Sequence, residues 1–258
     1  MATWTVRLRV LLGLACLSAL PGCGAAGPGD GLVVVAAASL GDAFTAIARD
    51  WEHETDAHRV RLSFVGSQVL AAQLRAGLRA DVVATANPEI MTALRDDGLV
   101  DAPVRFATNR LVWVVHAHDR EGLGPTLDAR TLAAADRVVL AAPEVPAGRY
   151  SRQALRELGL LEAAEARLVS QELDVKGVVA KLLLGGADAG MIYATDVPPG
   201  RGDSLAVIGL DERADVRAEY LVATASAAPH PEAARRFVDF VRGERAAATL
   251  STLGFGPP

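Results

Sequence analysis

Two serines occupy the same kind of joint. Ser39 ends the apolar run "VVVAAASL" and opens a segment of helical period, and Ser67 does the same after residues 60–65, through Gly66. A serine just ahead of a helix is by default an N-cap, and Ser39-Leu40-Gly41-Asp42 fits a capping box with Asp42 as its acid. Repetition on neighbouring strands implies more. Helix N-termini at the carboxyl edge of an α/β sheet carry unpaired N–H groups and partial positive charge, a setting that favours an anion. A hydroxyl that caps its helix can still donate its own proton outward.

The second half of the chain has matching joints. The run at residues 137–142 enters Pro143-Glu144-Val145-Pro146-Ala147-Gly148, a turn shaped to present amides around Ala147 ahead of a helix at 150–158. Asp174 is placed to cap the next helix and leave the Val175 amide free, and Tyr193 ends an apolar strand where its phenol needs a polar partner. Asp174 and Glu144 lie close to these joints in sequence. The expectation is that Asp174 turns back onto its helix and that Glu144 faces solvent.

The elements that must hold these joints alternate strand and helix. Strands are expected at residues 32–35, 60–65, 81–84, 110–116, 137–142, 167–169, 190–194, 205–208 and 219–224. Helices are expected where Leu40, Ala43, Phe44, Ile47, Ala48 and Trp51 share a face, at 68–78 with Leu70, Leu74 and Leu78 in register, from Pro88 to about Gly98, at 150–158, at 175–184, and from Pro231 with Ala234, Phe237, Val238 and Val241 inward. Asn87-Pro88 reads as N-cap and first helical residue. The pattern is that of an α/β protein with mostly parallel strands, in two lobes joined near 110–116 and 219–224, with a ligand cleft between them.

Composition narrows the function classes. The chain has 258 residues, 51% of them hydrophobic, enough for a sizeable core. Net charge is −5, the arginines are scattered without an aromatic-interleaved basic stripe, and nucleic acid is excluded as a partner on that ground. Arg7 and Arg9 precede the apolar run 10–20, which is too short to span a bilayer and ends in Pro21-Gly22-Cys23, as an export signal does. Leu20-Pro21-Gly22-Cys23 resembles the bacterial lipobox, so residues 1–22 are expected to be removed and Cys23 acylated, with 23–31 as tether. The other cysteine, Cys16, lies in the removed segment, leaving no intrachain disulfide.

The segments "VVVAAASL", "FVGSQVLAAQL", "ADVVATANPEIM", "APEVPAGRY", "LDVKGVVAKL", "GMIYATD" and the terminal "GFG" occur in an order that resembles the molybdate-binding proteins of bacterial ABC importers. The resemblance implies a two-lobed type II periplasmic-binding-protein fold, each lobe a mostly parallel sheet flanked by helices, with residues 32–113 plus 221–258 as lobe 1 and 114–220 as lobe 2. It implies that Ser39, Ser67, Ala147, Val175 and Tyr193 hold the oxyanion by hydroxyls and amides. Molybdate, and tungstate similarly, would be the ligand, with no cofactor and no protein ligand on the metal itself. The partners would be a membrane permease and its ATPase, the membrane through Cys23, and no second subunit. Two positions depart from the family pattern: Asn87 stands where Asp is frequent, and Gly66 where serine is common.

Donor chemistry agrees. A dianion stripped of water can be satisfied by neutral N–H and O–H groups alone, whereas phosphate retains a proton near neutral pH and gains from an acceptor. Sulfate or another tetrahedral oxyanion is the alternative ligand. A serine-dependent hydrolase is disfavoured, since neither serine lies in G-x-S-x-G and no histidine is placed as its base. A ligand-binding domain fused to a DNA reader lacks a helix-turn-helix extension. His116-Ala117-His118-Asp119 lacks a third ligand at suitable spacing for a metal. Arg201-Gly202-Asp203 reads as a turn, and Arg149 as a solvated helix start beside Ala147.

Overall fold

The computed structural model describes residues 31–55, 59–197 and 204–258. The expected export segment, Cys23 and Arg201-Gly202-Asp203 lie outside the described residues.

Strand β1 (Leu32–Ala37) is wholly apolar because it is central, lying parallel between β2 (Val60–Val65) and β3 (Val82–Thr85). Parallel neighbours require crossovers, and α1 (Gly41–Thr55), α2 (Ser67–Arg75) and α3 (Pro88–Asp96) follow the three strands in turn. Strand β4 (Val104–His116) then carries the chain into a second sheet half. There α4 (Ala129–Ala133), β5 (Val138–Ala141), α5 (Pro146–Glu157), α6 (Leu161–Glu165), β6 (Leu168–Glu172), α7 (Val175–Leu183), β7 (Ala189–Tyr193) and β8 (Leu205–Ile208) follow. The return strand β9 (Arg217–Thr224), α8 (Pro231–Val241) and α9 (Glu244–Thr252) complete the first half.

The strand order is β2-β1-β3-β9-β4-β7-β5-β6, with β8 also on β4. In each half a parallel set, β2-β1-β3 or β7-β5-β6, abuts antiparallel strands. β4 belongs to both. It pairs with β9 up to Arg110 and with β7 and β8 from Leu111 onward. This is the α/β, two-lobed architecture expected from the sequence, with the lobes meeting along one continuous strand, but neither half is mostly parallel: parallel and antiparallel pairings are evenly split because β9, β4 and β8 run against their neighbours.

Packing of the first half centres on aromatic edges. Phe44 and Trp51 of α1 meet Phe237 of α8 edge-on at 6.4 and 5.5 Å, and Phe44 meets Phe106 of β4 at 5.7 Å. Buried Asp81 accepts from the amides of Val33 (2.8 Å) and His230 (2.7 Å), fixing the start of α8 against the sheet.

Several boundaries differ from expectation. α2 stops at Arg75 because Gly77 takes φ +92 and ends the helix, so Leu78 is exposed rather than in register. α5 starts at Pro146, four residues early, since proline at the first helical position is preorganised for the turn. β4 begins at Val104, where Arg105 and Arg110 alternate with buried residues and hide the strand from an apolar-run criterion. The C-terminal helix is two helices, parted at Gly243, and the chain then brings Phe255 back onto the Tyr220 ring at 5.4 Å.

Candidate functional site

Ser39, Ser67, Ala147, Val175 and Tyr193 all line one small cleft between the sheet halves, with about 220 Å³ of space between its atoms, its open mouth included. Each arrives at the carboxyl end of a strand: Ser39 after β1, Ser67 after β2, Ala147 after β5, Val175 after β6, and Tyr193 as the last residue of β7. No Lys, Arg or His is among the lining residues.

Neither serine caps its helix, against expectation. Ser39 lies inside a 3-10 turn, Ala38–Leu40, that precedes α1, and Ser67 is the first residue of α2 with Gly66 in the cap position; neither turn has a side-chain cap bond. The reason is that both hydroxyls are occupied elsewhere. Ser39 Oγ accepts from the Tyr220 hydroxyl at 3.0 Å, and Ser67 Oγ accepts from the Ala86 amide at 3.2 Å.

The amides behave as expected. In α5 the first amide bonded back is that of Arg149, to Val145 O at 2.9 Å, so Ala147 N–H has no acceptor within its helix. Gly148 allows this turn to form: a Cβ there would sit 2.0 Å from Ala142 O. Asp174, itself among the cleft-lining residues, caps α7 through Gly177 N at 2.9 Å, which ties its carboxylate back onto its own helix and leaves Val175 N–H free. Glu144 is exposed, and Asn87 caps α3 through Ile90 N at 2.8 Å.

Tyr193 carries the clearest mark of a binding role. Its hydroxyl is buried and has no hydrogen-bond partner among the described residues. Burial, then the neighbouring Tyr220 and Tyr150, push its pKa well above the usual tyrosine value, so the group stays a neutral donor. His116 instead contacts Ala187 O at 3.0 Å and stacks on His118, and no metal-holding cluster exists among the described residues.

Three contacts around the cleft join the halves. Gln68 Nε2 donates to Leu173 O at 2.7 Å, Lys176 Nζ lies 3.4 Å from Asp42, and Arg149 lies 3.9 Å from Glu89. The two ion pairs are exposed and each contributes about 0–1 kcal/mol. Gly66 is the closest approach: a Cβ on it would lie 2.5 Å from Leu173 O of the opposite half.

Sequence reasoning missed Tyr220, Asn109 and the Lys176–Asp196 pair. Lys176 Nζ lies 2.9 Å from Asp196 Oδ1 as an ion pair rather than an aligned hydrogen bond. Burial raises the Asp196 pKa to about 6, with Lys176 opposing and Asp42 and Asp174 adding to the rise. Lys176 is itself raised: its partial burial works against the charge, and Asp196 and Asp42 outweigh it. The only sequence signal was one of just two lysines, Lys176 and Lys181, in a chain that otherwise uses arginine.

Residues 32–256 match the bacterial extracellular solute-binding protein family. The chain is 33% identical over 263 residues to the molybdate-binding protein ModA of Mycobacterium tuberculosis (strain ATCC 25618 / H37Rv), covering 100% of this chain and 98% of the relative. It is 31% identical over 256 residues to molybdate-binding protein ModA of Escherichia coli (strain K12), covering 96% and 97%. The periplasmic molybdate-binding protein of Azotobacter vinelandii has the same fold, with a TM-score of 0.75 at 20% identity over 88% of this chain and 99% of that one.

Two outcomes are expected from this geometry. Gly66→Ala overpacks the seam between the halves, at a cost of about 1–3 kcal/mol to the closed form, and weakens oxyanion binding on the order of tenfold in calorimetric titration. Unchanged affinity would mean that Leu173 moves aside freely. Asp196 has a folded pKa of about 6 against an ordinary 3.8, so the folded state binds more protons in that window and stability falls as pH rises through it. Asp196→Asn should therefore gain about 1–3 kcal/mol relative to wild type between pH ~4 and ~6, then stay level. Urea unfolding across pH would show instead a level difference if Lys176 kept the carboxylate ionised throughout.

Proposed function

Because the chain belongs to the bacterial extracellular solute-binding proteins, we propose that it captures molybdate outside the cytoplasm and delivers it to the permease and ATPase of an ABC importer. The single observation that carries the ligand class is the buried, unpartnered Tyr193 hydroxyl in a cleft lined by free amides and serine hydroxyls. A tetrahedral oxyanion supplies the missing acceptor. The names of the relatives, molybdate-binding proteins in both cases, point to molybdate among such anions.

The protein is a receptor and not an enzyme. In keeping with that, the two serines that might have served as nucleophiles accept bonds from Tyr220 and Ala86, and no histidine lines the cleft. Binding works by closure of the two lobes around the anion: Ser39 and Ser67 come from one, and Ala147, Val175 and Tyr193 from the other. The ligand bridges them and shifts the population toward the closed form. Tungstate, with the same charge and shape, binds similarly, and Cys23 anchors the mature chain to the membrane as a monomeric lipoprotein.

Titration calorimetry on the protein beginning at Gly24, with molybdate, tungstate, sulfate and phosphate in turn, tests the reading. Molybdate and tungstate should bind tightly and the other two weakly; silence with all four would remove the oxyanion assignment. Tyr193→Phe should keep the fold and weaken molybdate binding by about 1–3 kcal/mol, the worth of a hydrogen bond to a charged group. Equal affinity in the variant would take Tyr193 out of the site.

A further inference from the structure

An oxyanion site works as a filter only if each hydroxyl facing the ligand is committed to donating. A serine oxygen can also accept, and an accepting serine would welcome an anion that still carries a proton. The surroundings of Ser39 reduce that freedom through a chain of bonds that fills one of its two acceptor sites and leaves its own proton to give.

The chain begins at a backbone amide. Arg110 N–H donates to Asn109 Oδ1 at 2.9 Å, which orients the Asn109 amide. Its Nδ2, a pure donor, then points to Thr195 Oγ1 at 2.8 Å and toward the Tyr220 oxygen at 3.4 Å. Tyr220 Oη, facing a donor on that side, places its own proton on Ser39 Oγ at 3.0 Å. Ser39 Oγ, already accepting, has its proton left for the cleft. All three residues are buried, so water cannot scramble the order.

Taking the oxyanion reading above as its premise, we propose that Tyr220, oriented by Asn109, is a positioning residue that sets Ser39 as a donor and so disfavours oxyanions that retain a proton. Ser67 reaches the same polarity by a shorter route, since the Ala86 amide at 3.2 Å can only donate. Only the Ser39 route runs through side chains and can be reversed by substitution. It also crosses the seam of the molecule: Asn109 lies on β4 at the point where that strand changes halves, and Thr195 belongs to the second half. Burial raises the pKa of Tyr220 as well, so the hydroxyl remains protonated and able to play this part.

The test is competition of phosphate against molybdate at pH 7 for wild type, Tyr220→Phe and Asn109→Asp, with circular dichroism confirming that each folds. Tyr220→Phe keeps the ring and its edge contacts with Phe106, Tyr193 and Phe255. Molybdate affinity should fall about 3–10-fold, the worth of one neutral hydrogen bond, while phosphate competes better relative to molybdate by a similar factor. Asn109→Asp replaces the donor by an acceptor, so the Tyr220 proton turns to the carboxylate and Ser39 turns to Tyr220. Molybdate binding should fall further than in Tyr220→Phe, and the preference over phosphate should narrow further.

Equal loss of both anions, or phosphate that competes no better in either variant, would overturn the proposal and leave Tyr220 as a packing residue. If Asn109→Asp does not fold, Tyr220→Phe alone decides. A wild-type protein that ignores molybdate would instead overturn the oxyanion reading itself.

Discussion

An anion taken out of water needs a donor for each oxygen, and a site without cations can meet that need only by pointing every nearby N–H and O–H the same way. The architecture follows from this constraint. The ends of β1, β2, β5 and β6 each lead, directly or through a short turn, into a helical turn, and the first residues of those turns line one cleft between the halves. Pro146 has no N–H of its own, which makes Ala147 the first donor of α5. Gly148 lets that turn lie against the Ala141 and Ala142 carbonyls, where any side chain would collide.

The donors proposed for the anion belong to two halves that share a single strand, and on that reading the site is complete only when they close. The polar contacts across the mouth are few and the ion pairs exposed, with 77% of the Asp42 side chain open to solvent. Weak rim contacts suit a receptor, because a cleft locked by its own ion pairs would gain nothing from its ligand. Gly66 reflects the same demand from the opposite side: its missing side chain is what lets Leu173 approach.

Much of the arrangement was legible in the sequence because it is local. Strand-to-helix joints, Asp174 and Asn87 as caps, and the free amides near Ala147 and Val175 all follow from a few adjacent residues. The capping role given to Ser39 and Ser67 failed because it too was argued locally, while the partners that claim their oxygens, Tyr220 and Ala86, lie 181 and 19 residues away. Tyr220 reads in sequence as one more inward residue of a β-strand. The first half of β4 was hidden for a related reason: as a seam strand it alternates Arg105 and Arg110 with buried neighbours, and pattern alone does not separate that from a polar loop. The breaks at Gly77 and Gly243 were visible as glycines but not as helix ends.

A cation adjacent to the cleft in sequence clarifies why neutral donors are used at all. Lys176 follows Val175 directly, yet its ammonium faces Asp196 at 2.9 Å and Asp42 at 3.4 Å and is not among the cleft-lining residues. A free ammonium at this place would attract any small anion, chloride and carboxylates included, through a long-range charge that is indifferent to shape. Hydrogen bonds from fixed amides and hydroxyls reward only an anion whose oxygens fall where the donors point. Committing Lys176 to two carboxylates thus leaves recognition to geometry, and geometry is what must separate one tetrahedral dianion from another.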